Sequence, residues 1–157
     1  MSKYKIYSAT KGKKEDSLLY KSLSIDYYDI PTLYKENNTQ SLQKTYNEFL
    51  DDAYDNNVDI ACFIHDDVFV NCNDLLYRLQ NSVKKYTVFG VAGSVSCKVK
   101  EPALWHLMSG REDHRGNVAH GDQTSYSYTS FGPLPSRALV LDGVFLGINI
   151  NKFNKKV

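Results

Sequence analysis

The chain has 157 residues, 42% of them hydrophobic and 24% charged, with a formal net charge of +1. That length and balance fit one globular domain with a real core and exclude a disordered or strongly charged chain. A charge so near zero, with a pI near 7.7, removes any bulk electrostatic case for nucleic acid or an anionic membrane as partner.

Residues 4–10, Tyr-Lys-Ile-Tyr-Ser-Ala-Thr, predict a first strand running into a polar turn at 11–16 that contains Gly12. Residues 17–23 put Leu18, Leu19, Tyr20 and Leu23 on a short helical face. Residues 24–30, with Ile25, Tyr27, Tyr28 and Ile30, predict a second strand closed by Pro31. Strand, helix and strand within about 30 residues is the size of a βαβ unit. Asn37 and Asn38 make a polar corner, and Thr39 or Ser41 is placed to cap the next helix. That helix, over 41–56, aligns Leu42, Tyr46, Phe49, Leu50 and Ala53 three or four apart, and Asn56-Asn57 ends it.

Residues 60–70, Ile-Ala-Cys-Phe-Ile-His-Asp-Asp-Val-Phe-Val, hold the sharpest signal in the chain. A short run rich in Ile, Val and Phe reads as a strand buried on both faces, as inside a parallel sheet. Adjacent carboxylates belong there only at the strand's C-terminal end, where open α/β sheets place their ligands. Asn73-Asp74 then cap a helix to about residue 85, with Leu75, Leu76, Leu79 and Val83 as its buried stripe. Residues 88–93, Val-Phe-Gly-Val-Ala-Gly, predict another strand whose small residues allow close backbone approach.

From 94 to 136 the pattern weakens, although this tract holds the sole Trp, three of the four His and three of the four Pro. A tract of about 40 residues without periodicity in a compact domain is usually functional, mobile or supported by a partner. Residues 138–149 are strongly apolar and break at Asp142-Gly143, which predicts two strand segments joined at a bend. The fold expected is a single three-layer α/β domain over 1–157 with a mostly parallel central sheet.

Cys62, Cys72 and Cys97 are odd in number and lack Cys-x-x-Cys spacing, which argues against a disulfide framework or zinc knuckle and for a reducing compartment. The N-terminal residues lack a signal-peptide h-region, and no window approaches the roughly 18 apolar residues of a membrane span. The expectation is a cytoplasmic protein.

Among the chemistry-bearing residues, His65, Asp66 and Asp67 are candidate ligands of Mg²⁺ or Mn²⁺, since hard cations favour carboxylate oxygen and imidazole suits Mn²⁺ better. Solvated aspartates in a strand-end turn are the plain alternative. Asn37, Asn38, Tyr46 and Asn47 flank that strand through the preceding helix, and Asn side chains suit base or ribose edges. As turn residues, Asn37 and Asn38 also have an ordinary structural use, whereas Asn47 sits mid-helix, where Asn is mildly unfavourable. Trp105 with His106, and His120, offer an aromatic platform and a further ligand, although the His spacing matches no zinc signature. Asp142 beside Gly143 places a carboxylate where a strand breaks, as a general base, a sugar-hydroxyl ligand or a simple bulge. No Walker A, Gly-x-Gly-x-x-Gly or nucleophile-elbow motif is present.

In order, Asn-Asn-Thr-Gln-Ser-Leu-Gln-Lys-Thr-Tyr46-Asn47, Phe-Ile-His65-Asp66-Asp67-Val, Gly-Val-Ala-Gly93-Ser, Pro-Ala-Leu-Trp105-His106, Gly116-Asn-Val-Ala-His120-Gly and Leu-Asp142-Gly143-Val-Phe-Leu resemble a known pattern. They are similar to the GT-A-fold, family-2-like glycosyltransferases of bacteria and phages, over about residues 4–150. The resemblance implies transfer of a sugar from a UDP- or GDP-sugar to a glycan or other hydroxyl acceptor, with inversion and Mn²⁺ or Mg²⁺. It implies Asp67, Asp66 and His65, in that order, as metal ligands, with His in place of the first carboxylate of an Asp-x-Asp element. Nucleotide-sugar contacts are expected from Ala9, Thr10, Asn38, Asn47 and Asp66. Acceptor or sugar contacts are expected from Trp105, His106, His120 and Gly143, and the base from Asp142. Relatives of this kind continue into a further acidic segment beyond the Asp-Gly strand, so the chain reads as either a minimal form or a C-terminally shortened one. A non-catalytic nucleotide- or glycan-binding module is the competing expectation, and a metal-dependent nucleotide-sugar hydrolase a third. A homo-oligomer is compatible with all three.

Overall fold

The computed structural model describes residues 2–25, 29–97, 104–121 and 124–153. In chain order its elements are β1 (Tyr4–Ala9), α1 (Leu18–Ile25), β2 (Thr32–Lys35), α2 (Leu42–Asp55), β3 (Ile60–Ile64), α3 (Leu75–Lys85) and β4 (Val88–Gly90). They continue with β5 (Ala92–Ser94), α4 (Trp105–Met108), β6 (His114–Gly121), β7 (Tyr126–Phe131), β8 (Val140–Leu141) and β9 (Phe145–Asn149). The chain divides into two compact units, Met1–Phe89 with Val144–Val157, and Gly90–Gly143.

The first unit is built on a five-stranded sheet of order β2-β1-β3-β9-β4. Side chains alternate across a strand, and here each face meets its own helices. Ile6, Ile60, Cys62 and Ile64 pack with Leu19 of α1 and with Leu75 and Leu79 of α3. Tyr7, Ala61 and Phe63 face the other way, onto Phe49 and Ala53 of α2. All five residues of β3 are buried, as its uninterrupted apolar run requires.

The helix ends follow from short polar residues. Ser41 caps α2, its side chain accepting from the Lys44 N–H. At the other end Asn57 takes the left-handed conformation (φ 52°). Its N–H reaches the Tyr54 carbonyl and the Val58 N–H the Ala53 carbonyl. That pair of bonds is a Schellman closure with Asn in the usual glycine place. Asp74 stands at the N-terminus of α3 but makes no side-chain cap bond there; it pairs instead with Arg78, one turn on.

Two expectations are corrected. The sheet is mixed: β1 runs parallel to β2 and β3, but β9 is antiparallel to β3, with Ile64 opposite Phe145 and Ile60 opposite Asn149. A parallel β9 would need a crossover that carries the chain back along the sheet. Here the chain enters β9 beside the end of β3, where the His65 N–H donates to the Val144 carbonyl. The second strand also lies after Pro31 instead of before it, because α1 runs on through Ile25. Tyr27 and Tyr28 of that expectation lie outside the described residues.

The second unit is a four-stranded antiparallel sheet of order β7-β6-β5-β8. Close approach is visible at Gly93, where an added Cβ would lie 2.2 Å from the Val140 carbonyl oxygen. The apolar run over 138–149 does divide in two, into β8 and β9. The tract without sequence periodicity contains the longest pairing of this unit, the β6–β7 hairpin, in register from Gly116–Phe131 to Gly121–Tyr126. Half of the β6 residues and most of those in β7 are exposed. A hairpin with two wet faces carries no apolar alternation to read. Among the described residues, no helix is long and apolar enough to cross a membrane.

Candidate functional site

In the first unit, the C-terminal ends of β1 and β3 open on a cleft of about 540 Å³. It is lined by Ala9 and Thr10 from β1 and its exit, by Lys11, Asp16 and Ser17 from the following turn, and by His65, Asp66 and Asp67 after β3. Asn38, Gln40, Leu42 and Tyr46 close it from the start of α2 and the loop before it. β1 and β3 are adjacent and parallel, so their C-terminal ends must share one edge of the sheet. This is where ligands of open α/β sheets sit.

Backbone hydrogen bonds fix each wall. The Val68 N–H returns to the His65 carbonyl, closing a turn of His65, Asp66, Asp67 and Val68. The Asp66 carbonyl accepts from the Leu19 N–H in the first turn of α1, and the Val70 N–H donates to Ser22 Oγ. Ser17 Oγ takes the Tyr20 N–H. One N–H of the first turn of α1, that of Leu19, thus holds the turn, while Ser17 caps the next, and Asp66 and Asp67 line the cleft from this anchored backbone. His65 and Asp66 are half-buried and Asp67 is exposed.

On the opposite wall, Thr10 donates its N–H to the Lys35 carbonyl and accepts the Asn38 N–H. Gly12 accepts the Asn37 N–H, and Asn37 makes the return in the left-handed region (φ 50°). Asn38 lines the cleft, but its side chain is spent on the loop: Oδ1 accepts from Thr45 Oγ1 and the Gln40 N–H, and Nδ2 donates to the Gln40 carbonyl. The turn role of Asn38 is therefore the one its bonds describe. Tyr46 stacks on Phe63, with ring centroids 5.0 Å apart. Asn47 is exposed and does not line the cleft. Successive helical side chains point about 100° apart, so Tyr46 and Asn47 cannot share a wall.

Among the described residues, no three His, Cys, Asp or Glu side chains form a group that could hold a metal, so His65, Asp66 and Asp67 are not a ready-made three-ligand set. Asp66 and Asp67 suit a Mg²⁺-like ion that takes most of its ligands from water and substrate phosphate, and do not suit a metal caged by protein alone. The charged lining comprises three aspartates, one lysine and His65. That balance favours a cation, or an anion that arrives with one.

The remaining expected residues belong to the second unit and are not brought together as a cleft. Trp105 is 6% exposed. Its ring packs edge-on against His114, with centroids 4.9 Å apart, and its indole N–H donates to Asp142 Oδ2 at 3.0 Å. An indole so enclosed has no open face for a sugar. Asp142 and Gly143 are half-buried, and the Asp142 N–H donates to the Ala92 carbonyl. His106 and His120 are exposed, on α4 and β6. Pro102, Ala103 and Asp122 lie outside the described residues.

The sequence reading missed Lys11, Asp16, Ser17, Gln40 and Leu42 as lining residues. The signal that finds three of them was available. A turn leaving the first strand of a parallel pair lies on the same edge as the turn leaving its neighbour, so residues 11–17 had to approach 65–67.

No family model matches this chain, and no curated protein does. Among solved structures, the crystal structure of A197 from STIV is similar, with 13% identity, 98% of this chain and 70% of that chain covered, and a TM-score of 0.46. A likeness at that score carries no argument about fold or activity.

Proposed function

We propose that the first unit binds a nucleotide-diphosphosugar in the strand-edge cleft, as a GT-A-type glycosyltransferase of the family-2 kind. The reaction proposed is inverting transfer of the sugar to an acceptor hydroxyl. The observation that carries this reading is the convergence of the β1 exit, Ala9 and Thr10, with the Asp66-Asp67 turn after β3 in one cleft at the sheet edge. Thr10, Leu42 and Tyr46 provide a mixed polar and apolar wall suited to a nucleoside, and the turn supplies the charged end. Asp66 and Asp67 would hold Mn²⁺ or Mg²⁺. Such an ion, when bound, neutralises charge on a leaving diphosphate. The bonds from Leu19 and Val68 hold the backbone that carries these carboxylates before any ligand arrives.

A second reading, nucleotide binding without turnover, is favoured by one specific observation. Asp142, the candidate base, gives one carboxylate oxygen to the Trp105 indole. The indole bond occupies one of the two oxygens through which a base would take the acceptor proton.

Calorimetric titration of UDP, GDP and CDP with and without Mn²⁺, on the native chain and on Asp67→Ala, tests the cleft. Metal-enhanced binding that Asp67→Ala abolishes is the expected result. No metal-dependent nucleotide binding by the native chain would remove the transferase reading. A diphosphate-release assay on UDP- and GDP-sugars, with and without sugar acceptors, then separates the readings: acceptor-dependent release marks a transferase, release into water alone a hydrolase, and none a binding module.

A further inference from the structure

Resting on the cleft reading above, we infer that Lys11 is the protein's own cation for the nucleoside diphosphate, giving binding a component that needs no metal. Lys11 is the single Lys or Arg among the cleft-lining residues, across a space shared with Asp16, Asp66 and Asp67. Among the described residues its ammonium has no ion pair. Several other lysines of the first unit are engaged, Lys5 with Asp52, Lys35 with Glu48, Lys21 with the Asp16 carbonyl and Lys14 over the Tyr20 ring, while Lys13, in the same turn, is exposed and does not line the cleft.

A free surface lysine is ordinarily a solvated, mobile charge of little energetic consequence. Lys11 differs in what holds its backbone. Thr10, before it, is tied to Lys35 and Asn38, and Gly12, after it, accepts from Asn37 and donates to Thr10 Oγ1. The ammonium therefore swings on its own side chain alone, from an anchored point at the mouth of the cleft. Lys is a strongly hydrated point charge with three donors, suited to phosphate oxygens of varied geometry.

The cleft's own charge makes this lysine matter. Three carboxylates repel a diphosphate, and Lys11 is the one lysine or arginine in the lining to offset them. Affinity should therefore rise with the number of phosphates even in a chelator, and the rise should belong to Lys11.

The test titrates uridine, UMP and UDP into the 157-residue chain at low salt with EDTA, and again with Mn²⁺, for the native chain, Lys11→Gln and Lys13→Gln. If UDP is not the preferred nucleotide of the native chain, the series uses whichever of GDP or CDP binds. In EDTA, Lys11→Gln should weaken diphosphate binding about five- to tenfold and leave the nucleoside unchanged, as loss of one charge-assisted contact predicts. Lys13 lies in the same turn and is exposed, but does not line the cleft. Lys13→Gln removes the same charge and should change binding less than about twofold, since solvent and salt screen a charge outside the contact.

Diphosphate affinity unchanged in Lys11→Gln, or equal loss in both variants, overturns the assignment while leaving the cleft reading in place. Absence of any nucleotide binding by the native chain overturns both. Among the described residues the side chain of exposed Lys11 has no hydrogen bond or ion pair whose loss would unfold the protein, and a circular dichroism melt checks that the variant is folded.

Discussion

The two units use the same residue types in opposite ways. In the first, Asp66 and Asp67 sit on a turn whose backbone is satisfied by Leu19 and Val68, so their side chains are left to the cleft. In the second, the Asp142 carboxylate is joined to Trp105, which is itself packed on His114, and His114 on Phe131. One carboxylate pair is held in place by backbone and left available, while the other carboxylate helps hold the sheet together. A carboxylate, a histidine and a tryptophan in one sequence tract are therefore weak signs of a site. What distinguishes the first unit is that its polar residues stand at adjacent strand ends, where the sheet itself leaves space.

The largest break in that comparison comes from the ring cluster behind the cleft. Phe63 is 1% exposed and lies against Tyr7, Tyr46 and Phe49. Phe63→Ala should cost about 3–5 kcal/mol, as deletion of a buried aromatic ring does. The measurement is denaturant unfolding followed by circular dichroism. Phe63→Leu keeps most of the volume and should cost well under half as much while retaining nucleotide binding. Equal losses from the two variants would show that the ring itself, and not the filled space, supports Tyr46 at the cleft wall.

A smaller effect sharpens the contrast directly. Trp105→Phe and Asp142→Asn each disturb the indole–carboxylate bond in the second unit. Each should cost about 1–2 kcal/mol in unfolding free energy, the range for one part-buried bond to a charged acceptor. Nucleotide affinity should stay at the native value in both. Asp67→Ala should do the reverse, leaving stability within about 0.5 kcal/mol, as for an exposed side chain, and removing the metal-dependent part of binding. If Asp142→Asn instead reduces nucleotide affinity as much as Asp67→Ala does, the division of roles between the two carboxylates is wrong.

How much of this could be read in advance depended on where each residue's partners lie. α2 and α3 follow from a period of 3.6 and β3 from an unbroken apolar run, because each helix buries one face and β3 buries both within the same unit. The place of the His65-Asp66-Asp67 turn was legible because polar residues after an unbroken buried run must mark the end of the strand. The direction of β9 was not, since an apolar run of five reads the same parallel or antiparallel, and only its point of entry beside His65 decides. The β6–β7 hairpin was hidden by its exposed faces. Trp105 was misread as an open platform because a lone aromatic among polar residues looks the same whether its partner is a ligand or a histidine further along the chain, here His114. Lys11 was overlooked because a lysine in a Lys-Gly-Lys-Lys turn carries no local mark of the cleft it faces.

The smallest expected effect concerns pH, and it belongs to the first unit. Burial works against the ionised Asp52, but hydrogen bonds from Lys5 Nζ at 2.6 Å and the Tyr7 hydroxyl at 2.7 Å outweigh it, and the carboxyl is held below its usual range. Asp59 is lowered as well, first by the Lys3 backbone N–H at 2.7 Å and then by Asn151. A carboxyl whose folded pKa lies below its unfolded value adds stability above the unfolded value, about 3.9, and loses it as pH falls through the folded value. Unfolding free energy should therefore be flat near neutrality and fall once pH drops below about 4, the unfolded range for Asp. Asp52→Asn should cost about 0.5–1 kcal/mol at pH 7, as for a partly screened ion pair, and that difference should shrink towards zero in strong acid. Denaturant titrations of both proteins between neutral pH and about pH 3 provide the check. A native-minus-variant difference that stays constant across the range would mean that Asp52 contributes through its shape and its bond to Tyr7, and that its charge, for all its proximity to Lys5, contributes nothing.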